Sequence, residues 1–132
     1  MFYFQIKIFA QAGYYDGKIS ISYIEANSNK CFNYFIDPQN PILVLKVDKE
    51  EKYAFAGSKL GIVYMFKINE IEWTLHRTLF DHYSEITSIY ISNTLNVLAT
   101  SSLDGFLNLY TFPKGKLYRS IKSENNSPID DV

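Results

Sequence analysis

His82, Ser101 and Asp104 lie close together in the chain, with Tyr110 just beyond them. A histidine, a serine and an aspartate are the raw material of a nucleophilic triad, in which a base takes the serine proton and a carboxylate orients the base. That chemistry also needs an exposed serine with hydrogen-bond donors beside it for the oxyanion. Ser101 instead falls inside the run Leu98-Ala99-Thr100-Ser101-Ser102-Leu103, just ahead of the turn at Asp104-Gly105. Turns of the same kind recur at Gly17 and Gly61 without an equivalent serine. Buried polar groups must find partners, and a set drawn from one short stretch can satisfy that need internally. The residues are therefore read as structural, and no catalytic residue is assigned.

Other chemistries have less to work with. The single cysteine, Cys31, cannot form an internal disulfide, and two histidines with one cysteine make no zinc framework. Cys31 is read as a buried or edge-strand thiol, which favours a reducing compartment. No metal or cofactor is expected, and no phosphate-binding motif is present. The formal net charge is −1, with no run of like charge, so there is no electrostatic footprint for nucleic acid. The run Asp48-Lys49-Glu50-Glu51-Lys52 mixes signs and reads as a solvated turn. The apolar start, Met1 to Phe9, carries Gln5 and Lys7 and alternates like a strand rather than a signal peptide. No apolar stretch reaches the roughly 18 residues of a membrane span.

The elements that must position these side chains follow from an internal period. Gly17, Gly61 and Gly105 are spaced 44 residues apart. The same spacing relates Ala12, Ala56 and Thr100, then Gly13, Gly57 and Ser101, then Ile19, Val63 and Leu107, then Ile21, Met65 and Leu109. Each copy reads as small residues, a glycine turn and an alternating apolar run, which is a β-hairpin. Two copies carry Asp-Gly at the turn and the middle one has Leu60-Gly61; glycine supplies the positive φ without steric cost. Small residues ahead of the turn let neighbouring layers approach closely. Further strands are expected at Ile42 to Val47 and Ile86 to Ile91 ahead of the hairpins, and at Cys31 to Ile36, Trp73 to Phe80 and Leu117 to Ile121 after them. With 47% hydrophobic and 20% charged residues the chain is globular, and the aromatic share of 17% favours strands. Four short strands per period point to an all-β fold, a partial β-propeller of about three four-stranded antiparallel blades whose ring is not closed. The blades cover roughly 1–37, 42–80 and 86–122, and 128–132 would open another.

The third copy resembles a WD40 repeat: Asp81-His82, then Ile86-Thr87-Ser88-Ile89, then Leu98 through Tyr110. The resemblance implies a structural hydrogen-bonded tetrad, here His82, Ser101, Asp104 and Tyr110, with Tyr110 where the family has tryptophan. The first two copies lack the set. A narrower resemblance runs from Ile86 to Ile121, where Tyr110-Thr111-Phe112-Pro113 followed by Arg119-Ser120-Ile121 looks like the C-terminal propeller of BEACH-domain proteins. It implies a large cytosolic scaffold in vesicle traffic, attached peripherally to membranes, whose propeller recruits other proteins.

Two periods before Ile86 to Ser92 lies a strand that the first four residues would finish, and Pro128-Ile129-Asp130-Asp131-Val132 resembles the start of a further inner strand. The expectation is a piece of a longer protein whose partners include the remaining blades. The expected function is a non-catalytic interaction module. On the face with the hairpin turns, the repeat places Tyr15, Lys59 and Leu103, with Tyr83 and Glu85 nearby, as partner-binding candidates. The strands Ile42 to Val47 and Ile86 to Ile91 would line the channel and lack the carboxylates of a propeller hydrolase. A phosphoinositide site would need paired arginines, yet Arg77 and Arg119 hold unrelated positions.

Overall fold

The computed structural model describes residues 7–12, 18–25, 28–35, 40–69 and 72–123. Among these residues every regular element is a strand and none is a helix. The first sheet holds β1 (Lys7–Ala12), β2 (Lys18–Glu25) and β3 (Ser28–Phe35). The second holds β4 (Ile42–Val47), β5 (Tyr53–Ser58), β6 (Val63–Asn69) and β7 (Glu72–Leu79). The third holds β8 (Ile86–Ser92), β9 (Val97–Ser102), β10 (Phe106–Thr111) and β11 (Leu117–Lys122). Each sheet is an antiparallel meander in sequence order, and none closes on itself.

Two sheets thus have the expected four strands. The first shows three, and the fourth expected there falls in residues 1–6, outside the described residues, as does 128–132. The outer strands shift slightly from expectation: β7 ends at Leu79, which is buried, and Phe80 leaves the sheet and is exposed. The turns at Gly61 and Gly105 put only the glycine at positive φ, +89° and +83°. Their hydrogen bonds, Gly61 N–H to Ser58 O and Gly105 N–H to Ser102 O, are both 3.2 Å. This is a four-residue turn closed by a left-handed glycine, which is why Leu60 can stand in for the aspartate.

The sheets stack face to face. Along β5 and β6, successive side chains alternate between two buried faces. Ala54, Ala56, Tyr64, Phe66 and Trp73 form one apolar cluster with Ile42. Phe55, Val63, Met65 and Leu79 form another with Ile86, Ile89, Leu98 and Tyr110 of the third sheet and Phe112 beyond β10. Burying each large side chain of this kind contributes about 1.5–3 kcal/mol relative to exposure. The inner strands β4 and β8 lie against each other, β5 also meets β8, and β1 meets β4 in the equivalent way one repeat earlier.

Gly57 shows why a small residue is needed at this point in the repeat. A Cβ on Gly57 would lie 2.5 Å from Ile86 Cγ2 and 2.9 Å from Ile86 Cβ. At the outer edge the third sheet reaches back: Phe112 meets Tyr53 edge-on at 5.2 Å and Phe55 at 5.9 Å, and Arg77 Nη1 donates to Lys114 O at 2.7 Å. Asp48 is buried, contrary to its reading as part of a solvated turn. Its Oδ1 accepts from the backbone N–H of Lys52 and Tyr53 at 2.7 and 2.8 Å, and its Oδ2 accepts from Asn93 Nδ2 at 3.2 Å. It thereby fixes its own turn and ties it to the equivalent turn of the third sheet.

Gly57→Ala is expected to destabilise the chain by about 1–3 kcal/mol, the usual cost of overpacking. Urea unfolding of Gly57→Ala, Ile86→Ala and the double variant should show losses that do not add, because Ile86→Ala removes the Cγ2 methyl that the new Cβ would meet.

Candidate functional site

The residues singled out by type converge at one end of the third sheet. His82 and Asp81 sit on the segment between β7 and β8, Thr100 on β9, Asp104 in the β9–β10 turn, and Asn108 and Tyr110 on β10. His82 Nδ1 lies 2.9 Å from Asp104 Oδ2, and its Nε2 lies 2.7 Å from Thr100 Oγ1. The ionised carboxylate can only accept, so Nδ1 carries a proton toward Asp104. Thr100 and Tyr110 share one face of the sheet on neighbouring strands. The Tyr110 hydroxyl donates to Asp81 Oδ2 at 3.0 Å, and Asn108 Nδ2 donates to Asp81 O at 3.2 Å. The result is a polar path along one seam, Asp104, His82 and Thr100 bonded at one end and Tyr110, Asn108 and Asp81 at the other.

The strand hydroxyl in this path is Thr100 and not Ser101. A strand turns alternate side chains to opposite faces. Thr100 pairs with Asn108 and Leu98 with Tyr110, so these four share the face that meets the second sheet. Ser101 points to the other face, where its Oγ lies 2.8 Å from Thr87 Oγ1. His82, Ser101 and Asp104 therefore form no triad: the serine is on the wrong side of the sheet and the second imidazole nitrogen is already engaged. Ser102 belongs to the turn, its hydroxyl donating to Ser84 O at 2.9 Å.

The Asp104 carboxylate, like that of Asp48, takes three donors. Its Oδ2 also accepts from Tyr83 N–H at 3.0 Å and its Oδ1 from Phe106 N–H at 2.8 Å. Burial works against its charge, but the Tyr83 and Phe106 amides and His82 outweigh it and hold the carboxyl below its ordinary value of 3.8. Tyr110 is pushed the other way, first by burial and then by the charge and hydrogen bond of Asp81.

The second sheet fills the same places differently. One period back, Thr100, Asp104 and Tyr110 become Ala56, Leu60 and Phe66. A shorter pair does the polar work there: buried Asn40 donates from Nδ2 to Tyr64 OH at 3.1 Å, and its Oδ1 accepts from Leu60 N–H at 3.2 Å.

The surface candidates Lys59, Tyr83, Glu85 and Leu103 lie at this same end. Lys59 N–H bonds Pro41 O at 2.9 Å, and one period on, Leu103 N–H bonds Glu85 O at 3.0 Å. Gly61 sits against the carbonyls of His82 and Ser84. Lys59, Tyr83 and Leu103 are exposed and Glu85 is half-buried. Tyr15 and Gly17 lie outside the described residues. Among the described residues no three histidine, cysteine or carboxylate side chains gather as a metal site, and no helix is long and apolar enough to cross a membrane.

Recesses open among the described residues at both ends of the sheets. One, of about 410 Å³, lies at the opposite end among Lys46, Asp48, Lys49, Tyr90, Ser92 and Asn93. The other, of about 320 Å³, is lined by Phe80, Asp81, Tyr83, Phe106, Leu117 and Ser120. Sequence reasoning did not single out Phe80, Thr100 or Asn108. The strand period could have found Thr100, since only even positions of β9 share a face with Tyr110.

No protein-family model matches the chain, and no curated protein matches it.

Asp104 gives a pH dependence with a definite sign. A depressed folded-state pKa contributes stability that is present above the unfolded carboxyl value and is lost as pH falls through the folded one. Unfolding curves from pH 7 downward should show that loss starting near pH 3.8 and continuing below it, with Asp104→Asn flattening this limb. Thr100→Val should cost about 1–3 kcal/mol by leaving buried His82 Nε2 without its partner, and Ser101→Ala clearly less.

Proposed function

We propose that this chain is a non-catalytic protein-interaction module: adjacent blades of a WD40-type propeller from a BEACH-type scaffold acting in membrane traffic. The 44-residue register supports the blade reading, because equivalent residues in the second and third sheets take equivalent places. The polar path from Asp104 to Asp81 supports a structural role, since both imidazole nitrogens of His82 and both carboxylate oxygens of Asp104 are spent on neighbours.

One observation carries the reading furthest. The face of the second sheet that buries the third is built from Lys46, Phe55, Gly57, Val63, Met65 and Arg77. One period on, these become Tyr90, Ala99, Ser101, Leu107, Leu109 and Ile121, and they share the outward face of the third sheet. Tyr90 is 56% exposed there and Ile121 38%, Leu107 and Leu109 are half-buried, and small Ala99 and Ser101 are buried at the floor of the face. A further sheet of the same repeat is the occupant that fits: the face uses the same repeat positions as one already covered by such a sheet, with small Ser101 where Gly57 receives Ile86. In a complete module the hairpin-turn end, with Lys59, Tyr83, Glu85 and Leu103, presents rigid loops to partner proteins. A cytoplasmic module, attached to membranes only through its parent protein, is the setting this reading implies.

Light scattering and binding of an apolar dye test it on the purified chain. The expected result is self-association or dye binding that Leu107→Lys with Leu109→Lys abolishes without loss of the cooperative unfolding transition. A soluble monomer that binds no dye would overturn the reading. So would cosedimentation with anionic vesicles at physiological salt, because it would replace a protein partner with a lipid surface.

A further inference from the structure

The recess beside the polar path has a composition that selects a ligand. We propose that it binds an arginine side chain presented by a partner polypeptide. That the guanidinium comes from a polypeptide rests on the interaction-module reading; the preference for a guanidinium does not.

The recess lies where the segment after β7 passes the outer strands β10 and β11. Phe80 and Tyr83 stand on either side of Asp81 in the chain and are 69% and 88% exposed, two aromatic rings left in water. Phe106 and Leu117 complete the apolar wall, with Ser120 beside them.

Asp81 is the one charged group among the lining residues, and among the described residues it takes part in no ion pair. It is held at both ends. Its Oδ2 accepts from the buried Tyr110 hydroxyl at 3.0 Å, and its backbone carbonyl accepts from Asn108 Nδ2 at 3.2 Å. Asn108 is itself braced by the Ser120 hydroxyl. A carboxylate offers about four lone-pair sites, and the tyrosine uses one of them. What remains is a fixed anionic acceptor flanked by aromatic faces, positioned before any ligand arrives.

An anion would be repelled here, and a purely apolar group would desolvate Asp81 without replacing its hydrogen bonds. A cation meets both the charge and the ring faces. Guanidinium suits the place better than ammonium because it is planar, stacks on rings and offers paired donors to a carboxylate. A recess of about 320 Å³ admits the head group with part of its methylene stem.

The test uses the full chain carrying Leu107→Lys and Leu109→Lys, which are on the opposite face of the sheet and leave the recess intact. N-acetylarginine methylamide is titrated while the ring resonances of Phe80 and Tyr83 are followed by NMR, with the citrulline analogue as the uncharged match. Saturable shifts are expected with arginine, and about fivefold weaker binding with citrulline, the ratio given by ~1 kcal/mol. Phe80→Ala should weaken arginine binding about threefold or more without moving the melting temperature, since the ring is in solvent. Asp81→Asn keeps an oxygen for Tyr110 and should reduce binding to the citrulline level. Equal binding of arginine and citrulline, or no saturable shift up to the solubility of the probe, overturns the proposal. Failure of the module reading shows instead in the light-scattering experiment, so the two can fail separately.

Discussion

The close approach of the second and third sheets at Gly57 is the constraint on which the rest of this structure depends. Ile86 occupies the space where a Cβ would stand, so the two sheets meet at backbone distance near their inner edges. That contact brings β8 against β4 and β5 and allows Phe55, Val63 and Met65 to bury into the face made by Ile89, Leu98 and Tyr110. It also sets where the chain must run after β7. With Leu79 buried and Ile86 fixed, the six residues between them arch over the turn at Gly61 and carry His82 to Asp104.

The polar path is a consequence of that arch. A segment crossing from one sheet to the next leaves backbone and side-chain groups at a half-buried seam, and each needs a partner. In the third sheet His82, Thr100, Asp104, Asn108 and Tyr110 supply them. At the preceding seam Asn40 and Tyr64 do the same with fewer groups, and apolar Ala56, Phe66 and Trp73 fill the rest. Two chemically different seams therefore support the same stacking, which places the determinant of the architecture in the period and the small residues. The hydrogen-bonded set refines it.

Much of this was legible in advance. The 44-residue spacing, the glycine turns and the alternating runs located β4, β8 and the central hairpins because strand structure has a short, strict period and turns have few permitted residues. The requirement for a small residue before the turn was legible for the same reason. The identity of the strand hydroxyl was missed: choosing Ser101 over Thr100 ignored the alternation that puts only one of them on the face of Tyr110. Asp48 was taken as solvated because its neighbours are charged, and its burial depends on Asn93, 45 positions away, which local composition does not reveal. The recess at Asp81 was also hidden, since Phe80 looked like the end of an outer strand. It depends on where β7 stops, a tertiary matter.

Burial falls off across the third sheet in a way that matters for its motions. Leu98 and Tyr110, on the central strands, are fully buried, while every residue of β11 is exposed. Central amides of this kind exchange with solvent only when the stacked sheets separate, whereas an exposed edge strand opens by local fraying. The outer edge of the sheet is therefore its soft side, and the recess that includes Leu117 and Ser120 has one wall that can give. Arg119 and Lys122 on that strand serve a further purpose: charged side chains along a free edge discourage another chain from adding a strand there. The outer strand thus combines local softness with a guard against pairing.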